Sequence, residues 1–408
     1  MHTVKIGLIP SPDLPAKITD KIIDRLQDGL RSKIDHEVNW DLKMVIDPLV
    51  GSAEFIHEMA DKATKLKQRN DWDYVICLTD LPQFMKDYVI LADINRDQKI
   101  AFISLPALGF FPMKRRVCTI IYEIIKEFHH KQPKISRRSR RNNHLPLNKT
   151  LYDMWFTHIE RVEEDYKNPS HDSGENKGTD ESDEYTQEDS GDKFNVHYLI
   201  ASKFVGKIRL MNGMTVSNRP WTALASFIKV IMLAFGTGIY ITIFPSSWDL
   251  SIVYTIPRFL LLTCIALAGM VTWMIFAHNL WEKPTQKGDK RLRNLYNATT
   301  IITLSIIVFI NYAILYLLFL LALGMFVPPG LFQEVTGLTE EPSIKYYFQL
   351  TWIITSLGTL AGSIGTTSAN EEKVRQITYS YRQIQRYYDI QDTNENEKGK
   401  KDTSNHQD

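Results

Sequence analysis

Asp13, Thr79, Asp80 and Ser104 are the residues whose types and positions could do chemistry in this sequence. Each closes or follows an apolar run. Ser11-Pro12-Asp13-Leu14-Pro15 comes after residues 4–9, Thr79-Asp80-Leu81-Pro82 after 74–78, and Ser104-Leu105-Pro106 ends the run 100–104. In an open α/β sheet, ligands bind in the crevice beyond the carboxyl ends of the strands, so these carboxylates and hydroxyls are candidate ligand-binding groups. A second reading explains the same strings without a ligand: Asp and Ser cap the free N–H groups of a following helix, and Pro ends a strand. Both readings stay open.

Specific catalytic signatures are missing. The sequence has no Walker A loop, no Gly-x-Gly-x-x-Gly, no Gly-x-Ser-x-Gly and no His-Glu-x-x-His. The order of a Thr-Asp strand end, a Ser-Leu strand edge and a helix with Glu123 near His129 and His130 faintly resembles a zinc metalloprotease. The helix reads Tyr122-Glu123-Ile124-Ile125-Lys126, however, and lacks both histidines of the metal-binding pair. His129 and His130 are expected to be exposed. The residues indicate no particular cofactor and argue against an enzyme more than for one.

The elements that would position the four candidates follow from periodicity. Residues 4–9 read as a strand, and Ile18, Ile22, Leu26, Leu30 and Ile34 then recur at helical spacing. Residues 38–46 form a second extended stretch, followed by a helix over 53–67. The continuous apolar run 74–78 is that of a strand covered on both faces. Two more strands, 88–92 and 100–104, flank the turn Asn95-Arg96-Asp97-Gln98, and a last helix over 113–130 carries the stripe Val117, Ile120, Ile121, Ile124, Ile125 and Phe128. The expectation is a three-layer cytosolic α/β domain over residues 1–131.

The second half of the chain is apolar. Residues 221–244, 256–277, 298–327 and 348–367 are each long enough to cross a hydrocarbon core that needs about 20 helical residues, which predicts a four-helix transmembrane bundle over 221–369. The fourth segment is rich in Gly, Ser and Thr, and Gly358 and Gly362 stand four apart, as in helices that pack closely on neighbours. Basic residues cluster before the first segment (Lys203, Lys207, Arg209, Arg219), between the second and third, and after the fourth. Because such residues stay on the cytoplasmic side, both termini are expected in the cytoplasm. Arg219 and Trp221 suit the membrane interface, and Lys229 can snorkel to it. Asn311 reads as a partner in one interhelical hydrogen bond.

Between the halves, residues 132–162 comprise a basic linker and an amphipathic helix over 151–162. Arg137, Arg138, Arg140 and Arg141 could meet anionic lipid headgroups. The stretch 163–192 is acidic and Ser-rich and reads as a disordered tether. Residues 193–220 read as a juxtamembrane segment. Over 370–408 a cytosolic amphipathic helix carrying Val374, Ile377, Tyr381, Ile384 and Tyr388 precedes a flexible tail, which leaves homo-oligomerisation open. Nucleic acid is a poor fit to the basic run, because no aromatic residues interleave its charges.

Composition agrees with this division. The 408 residues carry a net charge of +1, an average over a polar half and an apolar one. Three cysteines, Cys77, Cys118 and Cys264, are too few and too far apart for a disulfide framework or paired zinc ligands and read as reduced, buried thiols. No cleavable signal peptide is expected.

The strings Cys-Leu-Thr-Asp-Leu-Pro at 77–82, Ser-Leu-Pro-Ala-Leu-Gly at 104–109 and Gly-Met-Thr-Val-Ser-Asn-Arg-Pro-Trp at 213–221 resemble those of an uncharacterised family of Gram-positive bacterial multi-pass membrane proteins. The resemblance implies a soluble α/β domain joined to a small helical bundle in the bacterial cell membrane, and it brings no activity or cofactor. The functional expectation is a membrane-anchored regulatory or ligand-sensing protein. A transporter or channel subunit, or a membrane-tethered enzyme with a site at the strand ends, are the alternatives.

Overall fold

The computed structural model describes residues 2–48, 56–110, 112–129, 159–163, 194–283 and 290–364, together with Arg375 and Tyr381. One compact unit reaches to Ser217 and a second begins at Asn218.

The apolar runs of the first unit become sheet. β1 (Thr3–Pro10) pairs in parallel with β2 (Asn39–Met44) on one side and β3 (Tyr74–Thr79) on the other, and β3 pairs in parallel with β6 (Ile100–Ser104). The rest of the sheet is antiparallel. β5 (Tyr88–Asn95) runs against β6 and carries the two-residue β4 (Phe84–Met85). The reversal between β5 and β6 is the Asn95–Gln98 turn, where the Asn95 side chain accepts the Gln98 amide at 2.8 Å. β7 (Ile159–Glu163) and β8 (Val196–Ile200) complete a mixed eight-stranded sheet ordered β2-β1-β3-β6-β5-β8-β7, with β4 off this path.

Helices cover both faces because the inner strands β1, β3 and β6 are buried on both. α1 (Leu14–Lys33) and α3 (Met113–His129) meet where Tyr122 lies against Gly29, and Phe128 packs on Tyr74 of β3. α2 (Ile56–Arg69) covers the other face through Met59, Ala60 and Ala63, against Ile9, Val75, Cys77 and Phe102. Phe194, just before β8, joins that cluster.

The sheet therefore does not end near residue 131. Val196–Ile200, expected as juxtamembrane, is a fully buried strand, and residues 159–162, expected at the end of an amphipathic helix, lie in a strand. A buried ionic knot fastens this addition. Glu127 of α3 accepts hydrogen bonds from Arg96, from Arg161 Nε at 2.8 Å and from the Tyr198 hydroxyl at 3.0 Å. α4 (Lys203–Ser217) then lies along β5 and the turn after β6.

The second unit is helical. α5 (Pro220–Ala223) and a 3-10 turn lead into α6 (Ile228–Thr242), which is followed by α7 (Pro245–Val253), α8 (Ile256–Ala277), α9 (Lys290–Phe326), α10 (Pro329–Thr336) and α11 (Ile344–Ile364). α8 and α9 are long and apolar enough to cross a membrane, and α6 with α7, bent by 88° at their break, would make a third such segment if counted as one. Residues 221–244, expected as one helix, are broken at the 3-10 turn, so α6 alone rises only about 22 Å. Residues 245–253, between the first two apolar segments, are helical as well. α11 is not among the helices that meet the length and apolarity of a span.

Small residues set the packing of α11. A Cβ placed on Gly358 would stand 2.9 Å from the Ala234 carbonyl oxygen, and one on Gly362 would stand 2.6 Å from Ala234 Cβ. The expected basic run with Arg137, Arg138, Arg140 and Arg141, the greater part of the tether and almost all of 370–408 lie outside the described residues.

Candidate functional site

Parallel β1, β3 and β6 are neighbours, so their carboxyl ends lie side by side. The Ser11 amide donates to the Leu78 carbonyl at 2.8 Å, and the Ser11 hydroxyl donates to the Asp80 carboxylate at 3.3 Å. Thr79 Oγ1 accepts the Leu81 amide at 3.1 Å, while Ser104 Oγ donates to the Leu81 carbonyl at 2.7 Å. The Leu105 amide closes the set on the Thr79 carbonyl. Thr79, Asp80 and Ser104 are all buried. The structure brings these three together and adds Ser11, and it also shows that the hydroxyls of Thr79 and Ser104 hold the Thr79–Leu81 loop in place.

Asp13 is set apart. It is exposed at the start of α1 with φ 70 and ψ −118, and it forms no side-chain cap hydrogen bond to that helix. An L residue with such a backbone carries strain of about 1–3 kcal/mol, so helix capping does not explain its place there. His129, expected to be exposed, is partly buried, with Nδ1 3.3 Å from the Tyr74 hydroxyl and Nε2 3.4 Å from Asp35. Among the described residues no three of His, Cys, Asp and Glu are grouped to hold a metal ion.

The chain leaves β6 through a 3-10 turn, Pro106–Leu108, and Gly109 at φ 74, a conformation open to glycine at low cost. α4 rests on this turn through glycine: a Cβ on Gly213 would lie 2.0 Å from the Pro106 carbonyl oxygen. The Thr79–Leu81 loop bonds to Ser104 and Leu105, and the 106–109 turn meets Gly213. The strings at 77–82 and 104–109 and the first residue of the string at 213–221 are thus one contiguous region.

Two arginines are buried at this turn. Arg116, in the first turn of α3, and Arg209 of α4 are 4% and 8% exposed. Both guanidinium groups donate to the Leu108 carbonyl, Arg209 through Nη2 at 3.3 Å. Nε and Nη1 of Arg209 have no hydrogen-bond partner among the described residues. Burial, with the positive charge of Arg116 beside it, lowers the pKa of Arg209 to about 10.

Sequence reasoning missed this pair, although a pattern for it exists. Arg116 falls on the stripe Met113, Val117, Ile120, Ile124, and Arg209 falls on Gly206, Leu210, Gly213, Met214, Ser217, so each puts a cation on a core face. By sequence, Arg209 counts only among the basic residues expected on the cytoplasmic side.

In the second unit, Arg219 is half-buried in the left-handed conformation, and Trp221 and Lys229 are exposed. Asn218, beside them in the string at 213–221, is buried and donates to Thr303 Oγ1 at 2.9 Å. Asn311 is buried in α9 with neither side-chain amide atom hydrogen-bonded among the described residues, so the expected interhelical bond is not formed. A groove of about 950 Å³ between α8 and α9 is lined by Leu267, Val271, Ile275, Ile302, Ile306 and Phe309, an apolar surface suited to an acyl chain. No family model matches the chain, and no curated protein or solved structure is significantly similar to it.

Proposed function

We propose that this chain is a multi-pass membrane protein whose soluble α/β domain binds a small ligand at the carboxyl ends of its parallel strands and regulates or reports through the helical unit. The observation that carries the proposal is the convergence of Ser11, Thr79, Asp80 and Ser104 on one edge of the sheet, with Asp80 buried at its centre. Exposed, strained Asp13 stands two residues beyond Ser11 at the same strand ends.

The membrane part of the proposal has its own support. Met232, Leu233, Leu261, Phe276, Phe309, Leu317, Leu321 and Met325 expose large apolar surfaces along the helices of the second unit, where hydrocarbon would be their favourable solvent. Four crossings, with α11 as the fourth and buried one, place the basic clusters on one side, which puts both termini in the cytoplasm of a bacterial cell. The resemblance to multi-pass Gram-positive proteins belongs to the same reading. The basic run at Arg137, Arg138, Arg140 and Arg141 is proposed to meet anionic headgroups, and a homo-oligomer is compatible with it.

A transporter or channel subunit is the second reading, and buried Asn311 favours it, because its side-chain amide has no hydrogen-bond partner among the described residues and a polar group at membrane depth can mark a polar path. Lys229, exposed where Asn311 is buried, does not support a cavity shared by the two. An enzyme at the strand ends would need Asp13 and Asp80 to act together, and one is exposed while the other is buried.

The experiment is thermal unfolding of the full-length protein in nanodiscs against nucleotides, divalent metals and common metabolites, with Asp80→Ala as control. Stabilisation by one class, lost in Asp80→Ala, is expected. Absence of any response, or an equal response in the variant, would overturn the strand-end site.

A further inference from the structure

The groove between α8 and α9 has a cause in the sequence. Cys264, Ala268 and Thr272 follow one another at four-residue spacing along α8, and Ser305 lines the groove from α9. All four are small, and the two helices leave about 950 Å³ between them. Its length is that of one leaflet. From Cys264 to Phe276 α8 rises about 18 Å, whereas half of a hydrocarbon core is about 15 Å and a crossing helix of a second copy runs about 30 Å.

Positive charge gathers at one end of this groove. Asn297 of α9, one turn before Ile301, accepts the Glu282 amide at 2.9 Å and donates to the Glu282 carbonyl at 3.4 Å, which fixes Trp281 and Lys283 at the end lined by Ile301. Lys290 and Asn294 stand eleven and seven residues before Ile301, on the same face of α9, and both are exposed. Among the described residues of 280–295, the bases Lys283, Lys290, Arg291 and Arg293 stand against one acid, Glu282. Three positive charges remain whichever of them Glu282 meets.

We propose that this groove holds an acyl chain of an anionic glycerophospholipid whose phosphate meets Lys283 and Lys290. The proposal rests on the reading of α8 and α9 as membrane-spanning. An apolar groove accepts the chain of any lipid, and the bases at its end select the headgroup, since each lysine near the surface favours an anionic lipid by about 5-fold. Basic pockets between membrane helices on the cytoplasmic side recur as sites for phosphorylated headgroups. Trp281, half exposed and lining the groove, suits the depth where chain and headgroup join.

The test is native mass spectrometry of the full-length protein, released from detergent after incubation with equimolar phosphatidylglycerol and phosphatidylcholine of matched chains. Wild type is expected to retain one phosphatidylglycerol, preferred over phosphatidylcholine by about 10-fold or more. Ala268 and Ser305 are exposed, so Ala268→Phe and Ser305→Phe fill the groove without entering the core, and each should lose the retained lipid. Lys283→Gln combined with Lys290→Gln should keep a lipid but bring the two classes to near equality.

Equal retention of both lipids by wild type, or retention of neither, would overturn the proposal. So would a lipid-free dimer that Ser305→Phe dissociates, because the groove would then belong to a second copy. Retention unchanged in both phenylalanine variants would also overturn it, by placing the lipid elsewhere, the basic run at 137–141 included. Failure of the membrane reading itself shows separately, as protein recovered from cells without detergent.

Discussion

Arg116 and Arg209, from helices far apart in sequence, donate to the same carbonyl oxygen, that of Leu108. The turn that offers this oxygen continues from β6, and β6 lies next to β3, so the arginine pair and the Asp80 loop are built on consecutive residues of one strand end.

That turn should not tolerate side chains at its two close approaches. Gly213→Ala forces a Cβ to within 2.0 Å of the Pro106 carbonyl, and the clash is with backbone, which cannot swing aside. Gly109→Ala adds a Cβ at φ 74. Each substitution is expected to cost roughly 1–3 kcal/mol, measured as loss of amide-exchange protection over residues 203–217, with Gly213→Ala the worse.

Stability of the β7–β8 addition should depend on pH through Glu127. Burial opposes its ionisation, but hydrogen bonds and charge from Arg161 and Arg96 outweigh that and hold its pKa below the ordinary 4.5. The contribution is therefore present in full well above pH 4.5 and is lost as pH falls through the lowered native value. Exchange of residues 196–200 between pH 3 and 7 should show this. Glu127→Gln should remove the dependence and destabilise the unit by about 3–5 kcal/mol.

The cysteines were expected to be buried and reduced, and they divide. Cys77 and Cys118 are buried, and burial raises the pKa of both, for Cys77 with the Asp47 carboxylate adding to the effect, whereas Cys264 is exposed on α8. Cys77 and Cys118 should resist alkylation until the soluble unit unfolds. Cys264 should resist both a lipid-soluble and an impermeant maleimide in intact membranes and react once the helices are unfolded in water, if hydrocarbon covers α8, because only the thiolate reacts.

Orientation can be read in the same way. In intact cells of a cysteine-free background, Glu340→Cys should label with an impermeant maleimide and Lys283→Cys should label only after lysis. The reverse pattern would invert the proposed topology.

What could be read from the sequence was local. The runs of β1, β3 and β6 and the α3 stripe give their own element types, because burial on both faces or on one helix face leaves a periodic mark. β8 leaves none: it is five residues long, and its partners β5 and β7 lie across long sequence separations. Ile159 and Val162 stand at helical spacing, yet pairing with β8 decides their state. Convergence of Thr79, Asp80 and Ser104 followed from parallel neighbours, whereas their mutual hydrogen bonds did not. The arginine pair was legible only as two cations on apolar stripes, since what makes them a pair is a shared carbonyl.

The most direct test of a ligand-responsive soluble unit is hydrogen–deuterium exchange on the full-length protein in nanodiscs, with each ligand class at saturating concentration. Slower exchange over residues 79–83 and 104–110 for at least one class, accompanied by a change within 228–242 or 344–364, is expected. Identical exchange with and without every class would contradict ligand sensing by this domain.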